Sequence, residues 1–151
     1  MRLASSILTG AASLLIAAGA WVTPVKSQAA SSAGQTTLDY GFFKTRVEPV
    51  FLTKRPGHTR CVACHTENNA PFHLVPLSPG SANWNEQQSQ QNFQLIQRVA
   101  LPGSMDSPLV HHPLAQAAGG DPHHGGGDQF TSQQDAAWQT LKAFIMGEKA
   151  K

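Results

Sequence analysis

Charge is scarce in this chain. Only 13% of its 151 residues are Asp, Glu, Lys or Arg, and the formal net charge is +2. A balance that small gives no electrostatic footprint for nucleic acid. A composition that is 40% hydrophobic is at the same time too apolar for a linker or a charged disordered segment. Cysteine is scarcer still: two residues cannot staple a disulfide scaffold. There is no Gly-x-y period and no long charged heptad run, which excludes collagen-like and coiled-coil chains. No stretch alternates in the way a strand requires, and no segment repeats. The sequence holds no nucleophile triad, phosphate loop or paired carboxylates in a setting that would support a hydrolase or a nucleotide enzyme.

What is present begins with an address. Arg2 is the only charge before an apolar run from Ile7 to Ala20. A short basic start, an apolar stretch and small residues beyond it form a secretory signal pattern. The small-x-small sets Ala18-Gly19-Ala20 and Ser27-Gln28-Ala29 both offer cleavage sites, and the second is favoured. It makes residues 1–29 a signal peptide and starts the mature chain near Ala30. The apolar run falls short of the roughly 20 residues of a full span, so a cleaved signal is preferred to a retained anchor. The expectation is a protein in the periplasm or secreted, with no stable membrane span after cleavage. Loss of Arg2 and Lys26 leaves nine basic residues against nine acidic ones. The remaining chain of about 120 residues suits one domain with a modest core, to which a bound cofactor would add much.

Residues 30–37 read as a flexible linker, 38–147 as the folded domain and 148–151 as a C-terminal tail. Asp39 can cap a helix carrying Phe42, Phe43, Val47, Val50 and Phe51 on one face, with a kink or break at Pro49. A second helix is predicted to start near Asn83, with Glu86 completing a capping box, and to run over 85–100. Phe93, Ile96, Val99 and Ala100 mark its buried side; Gln87, Gln88, Gln90, Gln91, Gln94 and Gln97 mark a solvated one. Ser132 is predicted to cap a third helix with Trp138, Leu141 and Ile145 on one face, stopped by Gly147. Between the helices lie long loops. Pro71, Pro76, Pro79 and Gly80 interrupt one; Pro102, Pro108, Pro113, Pro122 and two glycine clusters interrupt the other. Long irregular segments in a small domain are commonly functional or disordered.

The chemistry concentrates in Cys61-Val62-Ala63-Cys64-His65, a C-x-x-C-H pattern of the kind that attaches haem covalently. Two thiols three positions apart can add to the two vinyl groups on one porphyrin edge. The next residue, His65, then offers an imidazole to the iron. The rival readings are a redox C-x-x-C, a zinc set of Cys61, Cys64 and two later histidines, and a plain disulfide. A redox C-x-x-C expects a βαβ setting, which this chain lacks. The export signal, the amphipathic helix ahead of the motif and the absence of other cysteines favour one covalent haem c. His65 is then the proximal iron ligand and Cys61 and Cys64 the thioether anchors.

The sixth ligand is open between several residues. Met105 lies 40 residues after His65 in a Pro-Gly loop. His73 is too near the attachment side to cross the ring, and Met146 ends the last helix. His111 and His112 precede Pro113. His123 and His124 precede Gly125-Gly126-Gly127, where a backbone without side chains can pass close to a flat ring. His124 is favoured, with Met105 and His112 as alternatives. The vicinal histidines also fit an adventitious surface metal site.

The run Phe42-Phe43-Lys44-Thr45-Arg46-Val47-Glu48-Pro49-Val50-Phe51-Leu52, followed by the Cys61–His65 motif, resembles class I-type bacterial c-type cytochrome domains. His112-Pro113-Leu114-Ala115, Gly119-Gly120-Asp121-Pro122-His123-His124-Gly125-Gly126-Gly127 and Trp138-Gln139-Thr140-Leu141 resemble the planctomycete-type branch of small cytochrome c domains. The resemblance covers residues 38–147. It implies an all-α, cytochrome c-like fold of three main helices and long loops around one covalent haem, serving as a monohaem electron carrier with His65 proximal. Class I relatives place a methionine on the far side, a departure if His124 fills that position here.

The function expected is one-electron transfer between a protein donor and a protein acceptor. A second histidine would give a lower potential than a methionine. Phe43, Phe51, Phe72, Phe93, Trp138 and Leu141 are expected to wall the haem. Lys44, Lys54, Arg55 and Arg60 are a possible docking rim for an acidic partner. The alternatives are a haem-based gas sensor or peroxidase-like protein with an open distal site, and a non-haem Cys/His metal-binding protein.

Overall fold

Asp39 opens the helical part of the chain by accepting the Phe42 N–H at 2.7 Å. The computed structural model describes residues 35–67 and 72–151. The expected signal peptide, residues 30–34 of the expected linker and Pro71 lie outside the described residues. From Asp39 the chain winds without interruption through α1 (Tyr40–Phe42), a π segment (Phe43–Val47) and α2 (Glu48–Leu52). Pro49 accounts for the wide middle turn. It has no N–H for the Thr45 carbonyl, and its ring would press on that carbonyl in a regular helix. With one more residue in the turn ahead, the Glu48 N–H reaches Phe43 O instead. The kink or break expected at Pro49 is absorbed as a π turn.

After α3 (Cys61–His65) the chain runs irregularly to α4 (Glu86–Gln97). Asn85 caps α4 in a reciprocal box with Gln88, two residues after the expected start. The glutamines face solvent apart from Gln88, which is half-buried and bonds Pro76 O. Ile96 and Ala100 are buried as expected; Phe93 and Val99 are only half-buried, and Ser89 and Asn92 are enclosed beside them. Asn92 earns its place by accepting the Val75 N–H at 2.7 Å, which pins the proline-rich loop to α4. Next come α5 (Pro108–His111), a 3-10 turn (Gln116–Ala118) and α6 (Ala136–Ile145). The cap of α6 is Asp135, accepting from Ala137 and Trp138, rather than Ser132. Gly147 stops α6 as expected. At φ +84° it donates to Phe144 O while Glu148 donates to Ala143 O, the paired bonds of a Schellman ending.

The described residues hold no strand, only one isolated bridge between Leu114 and Phe130, so the fold is all-α. The π segment packs on α6 through Phe43 and Phe144, whose ring centres are 5.9 Å apart. Phe42, Phe93 and Tyr40 complete this aromatic cluster. Trp138 joins α6 to α5 by donating its indole N–H to Val110 O at 2.9 Å, within the buried core.

Described residues on both sides of the expected 38–147 domain are joined to each other. Lys149 holds Thr37 through both its carbonyl and its hydroxyl, and the Ala150 N–H reaches Asp39. The end of the expected linker and the expected tail are therefore fastened to each other. No helix among the described residues is long and apolar enough to cross a membrane.

Candidate functional site

The C-x-x-C-H motif folds as one and a half turns of helix. In α3 the positions i, i+3 and i+4 fall on one face, so Cys61, Cys64 and His65 face the same way. All three line a cavity of about 780 Å³. That volume is of the size that holds cofactors and far above a packing void. Its wall is drawn from distant parts of the chain: Val50 and Phe51 of α2, Phe72, Val99, Leu109 and His112 of the α5 region, His123 to Gly126, Gln129, Phe130 and Leu141. Of the aromatic and aliphatic residues expected around a cofactor, Phe51, Phe72 and Leu141 are in this wall. Phe43 and Phe93 are instead committed to the aromatic cluster and Trp138 to α5. Val50, Val99, Leu109 and Phe130 take their places.

His65 is held on two sides. Its Nδ1 lies 3.2 Å from Phe72 O, and the Phe72 ring stacks on it at 4.2 Å. A carbonyl oxygen can only accept, so Nδ1 carries the hydrogen and Nε2 keeps a free lone pair. Burial pushes the His65 pKa down, against the Phe72 hydrogen bond, and so favours the neutral ring that a metal requires. Burial also raises the Cys61 thiol above its ordinary value.

His124 has the same construction. Its Nδ1 donates to Gly127 O at 2.8 Å, leaving Nε2 free. The ring centres of His124 and His65 are 6.4 Å apart, with the planes tilted by 34°. Two imidazole nitrogens each about 2 Å from one metal ion set their ring centres roughly 6 Å apart. That spacing is compatible with one metal ion between the two histidines, beside two thiols on a helix face. A backbone carbonyl on the remaining ring nitrogen is the usual device for orienting a metal-ligating histidine.

Of the other candidate ligands, some line the cavity and some do not. Met105 is 39% exposed and Met146 49% exposed, and neither lines the cavity. His73 is exposed, and His111 is half-buried outside the wall. His123 lines the cavity beside His124. His112 lines it too, with its ring centre 4.9 Å from that of His124 and the planes at 76°. Among the described residues no group of three or more His, Cys, Asp or Glu side chains gathers to hold an ion, so the zinc set is not assembled there.

Sequence reasoning missed Asp121. Its two carboxylate oxygens lie 2.8 Å from His111 Nδ1 and 2.7 Å from His112 Nδ1. The His112 hydrogen bond, ahead of the opposing effect of burial, keeps the Asp121 carboxyl below its usual pKa. It also missed Gln129, a cavity-lining residue 6% exposed, whose amide donates to Gly126 O at 3.1 Å. The expected basic rim is divided. Lys44 pairs with Glu86, and Arg55 pairs with Asp135 while lying over the Phe130 ring. Lys54 and Arg60 stay exposed and, with His58, line an open hollow.

Compared with protein-family models, curated proteins and solved structures, the chain matches none.

Proposed function

We propose that this protein is an exported monohaem c-type cytochrome that carries single electrons between a protein donor and a protein acceptor. The observation that carries the reading is the meeting of Cys61, Cys64, His65 and His124 on one cavity, with the Nδ1 of each of these histidines engaged by a backbone carbonyl. Cys61 and Cys64 would hold the haem by thioether bonds, His65 would bind iron from the attachment side, and His124 would bind it from the other. When bound, the haem supplies Fe(III)/Fe(II) cycling. The chain's own residues do the rest. The carbonyls of Phe72 and Gly127 would fix both tautomers and leave each Nε2 free. Phe51, Phe72, Leu109, Phe130 and Leu141 give the cavity a mainly apolar lining. With His65 and His124 both holding the iron, no site would be left on it for a substrate, and the potential would lie below that of a His/Met carrier. His124 is preferred to Met105 because Met105 is outside the cavity wall. Export rests on the pattern in residues 1–29.

The test is the visible spectrum of protein matured in a host with haem-attachment machinery, recorded oxidised, reduced, and reduced under carbon monoxide. Colour that survives denaturation and a reduced spectrum unmoved by carbon monoxide are expected. His124→Ala should then bind carbon monoxide, while Met105→Ala should not. A colourless product would overturn the haem assignment. A wild-type spectrum that shifts with carbon monoxide would overturn the six-coordinate carrier in favour of the open-site sensor or peroxidase-like protein.

A further inference from the structure

The segment that carries His124 has little to hold it. Gly125, Gly126 and Gly127 are exposed and bring no side chains of their own. The loop is fixed by the bonds between His124 and Gly127 and by the Gln129 amide on Gly126 O. Of these, only the Gly127 carbonyl holds the His124 ring itself, and it does so at a single atom, Nδ1. A second contact on that ring comes from His112, edge-on at 4.9 Å.

His112 is itself held from behind. Its Nδ1–H donates to Asp121 at 2.7 Å, and the second oxygen of the same carboxylate lies 2.8 Å from His111 Nδ1. The backbone delivers Asp121 to that spot. Its N–H donates to His111 O at 3.2 Å, and the Gly120 N–H donates to Ala115 O at 3.0 Å. The return is so tight that a Cβ at Gly120 would collide with the Leu114 carbonyl. Asp121 is half-exposed, so packing does not explain it, yet both its oxygens are used.

We propose that Asp121 is a positioning residue for the distal wall: by gripping His111 and His112 it sets the His112 ring against His124 and so fixes where His124 Nε2 points. The inference rests on the reading of His124 as the distal ligand. It assigns to the Asp121–His112 pair the task of keeping that ligand on the iron, a task the triple-glycine loop cannot perform alone.

The experiment uses holoprotein carrying Asp121→Ala, Asp121→Asn or His112→Ala, with Asp106→Ala as a control for loss of a surface charge. Each is titrated with carbon monoxide in the reduced state, and the electron paramagnetic resonance of the oxidised state is recorded beside it. Asp121→Ala and His112→Ala should raise the apparent affinity for carbon monoxide by about tenfold or more and broaden the low-spin signal. Asp121→Asn, whose amide can accept from one imidazole only, should fall between them and wild type. Asp106→Ala should match wild type. If Asp121→Ala does not fold, His112→Ala and Asp121→Asn decide the question. Coloured variants that bind carbon monoxide no better than wild type and keep its signal would overturn the positioning role and leave the haem reading standing. A colourless wild type would overturn the haem reading itself, and this inference with it.

Discussion

Gly120 shows how much one missing carbon can matter. Any side chain there meets the backbone of Leu114, so Gly120→Ala has to move main chain rather than a flexible side chain. A loss of about 1–3 kcal/mol is expected from such overpacking, measured by denaturant unfolding. Trp138 makes a different kind of demand. Its indole satisfies Val110 O in the core, and Trp138→Phe keeps most of the apolar surface while orphaning that carbonyl. Destabilisation of about 1–3 kcal/mol is expected by the same measurement. At this scale the sequence is partly legible. Cys61, Cys64 and His65 declare themselves because their spacing is the geometry of a helix turn. Asp121 does not, because its meeting with His112 depends on a backbone return through Gly119 and Gly120. The partners of His65 and His124 are carbonyls, which every residue carries and no residue type announces.

The helices differ in how far local chemistry decides them. Asp39 and Gly147 act on their nearest neighbours, and both ends are where the sequence puts them. At α4 and α6 several residues can cap: Asn85 wins over Asn83 through its local box with Gln88, whereas Asp135 wins over Ser132 for a reason outside the local run. Asp135 is chosen because Arg55, eighty residues earlier, reaches it. Burial pushes the Asp135 carboxyl up, but Arg55 and the Trp138 and Ala137 N–H groups outweigh it and hold it below its ordinary range. A carboxylate with a lowered folded pKa stabilises the protein above its unfolded pKa of about 4 and loses that contribution as pH falls through the folded value. Asp135→Ala should therefore cost about 1 kcal/mol at neutral pH. Its stability should also fall less steeply than that of wild type below about pH 4. Parallel denaturant curves across that range check both. Pro49 is a second case of reach. The sequence marks the conflict, and only the chain around it resolves the conflict as a π turn rather than a break.

On the scale of the whole molecule, the cavity is the meeting point of segments from residue 50 to residue 141. A group fastened there contacts α2, α3, the α5 region and α6 together. Anything that binds the folded state alone stabilises it. Cys61→Ser with Cys64→Ser should give a colourless protein that unfolds at a markedly lower temperature than the mature one, read by circular dichroism. Equal melting temperatures would argue against a cofactor that braces the core. Helical content and core residues were broadly legible from periodicity. The division of the aromatic residues between the Phe43–Phe144 cluster and the cavity wall was not, since both sets share the same spacing and separate only when the helices cross.

The two walls of that cavity are also ordered along the chain. Cys61, Cys64, His65 and Phe72 come early, and His112, His123 and His124 come tens of residues later. A chain leaving the ribosome or crossing a membrane amino end first presents the His65 side while the His124 side is still to come. On the proposed reading, a cofactor would be joined to the two thiols through an open face, before the later segment completes the wall.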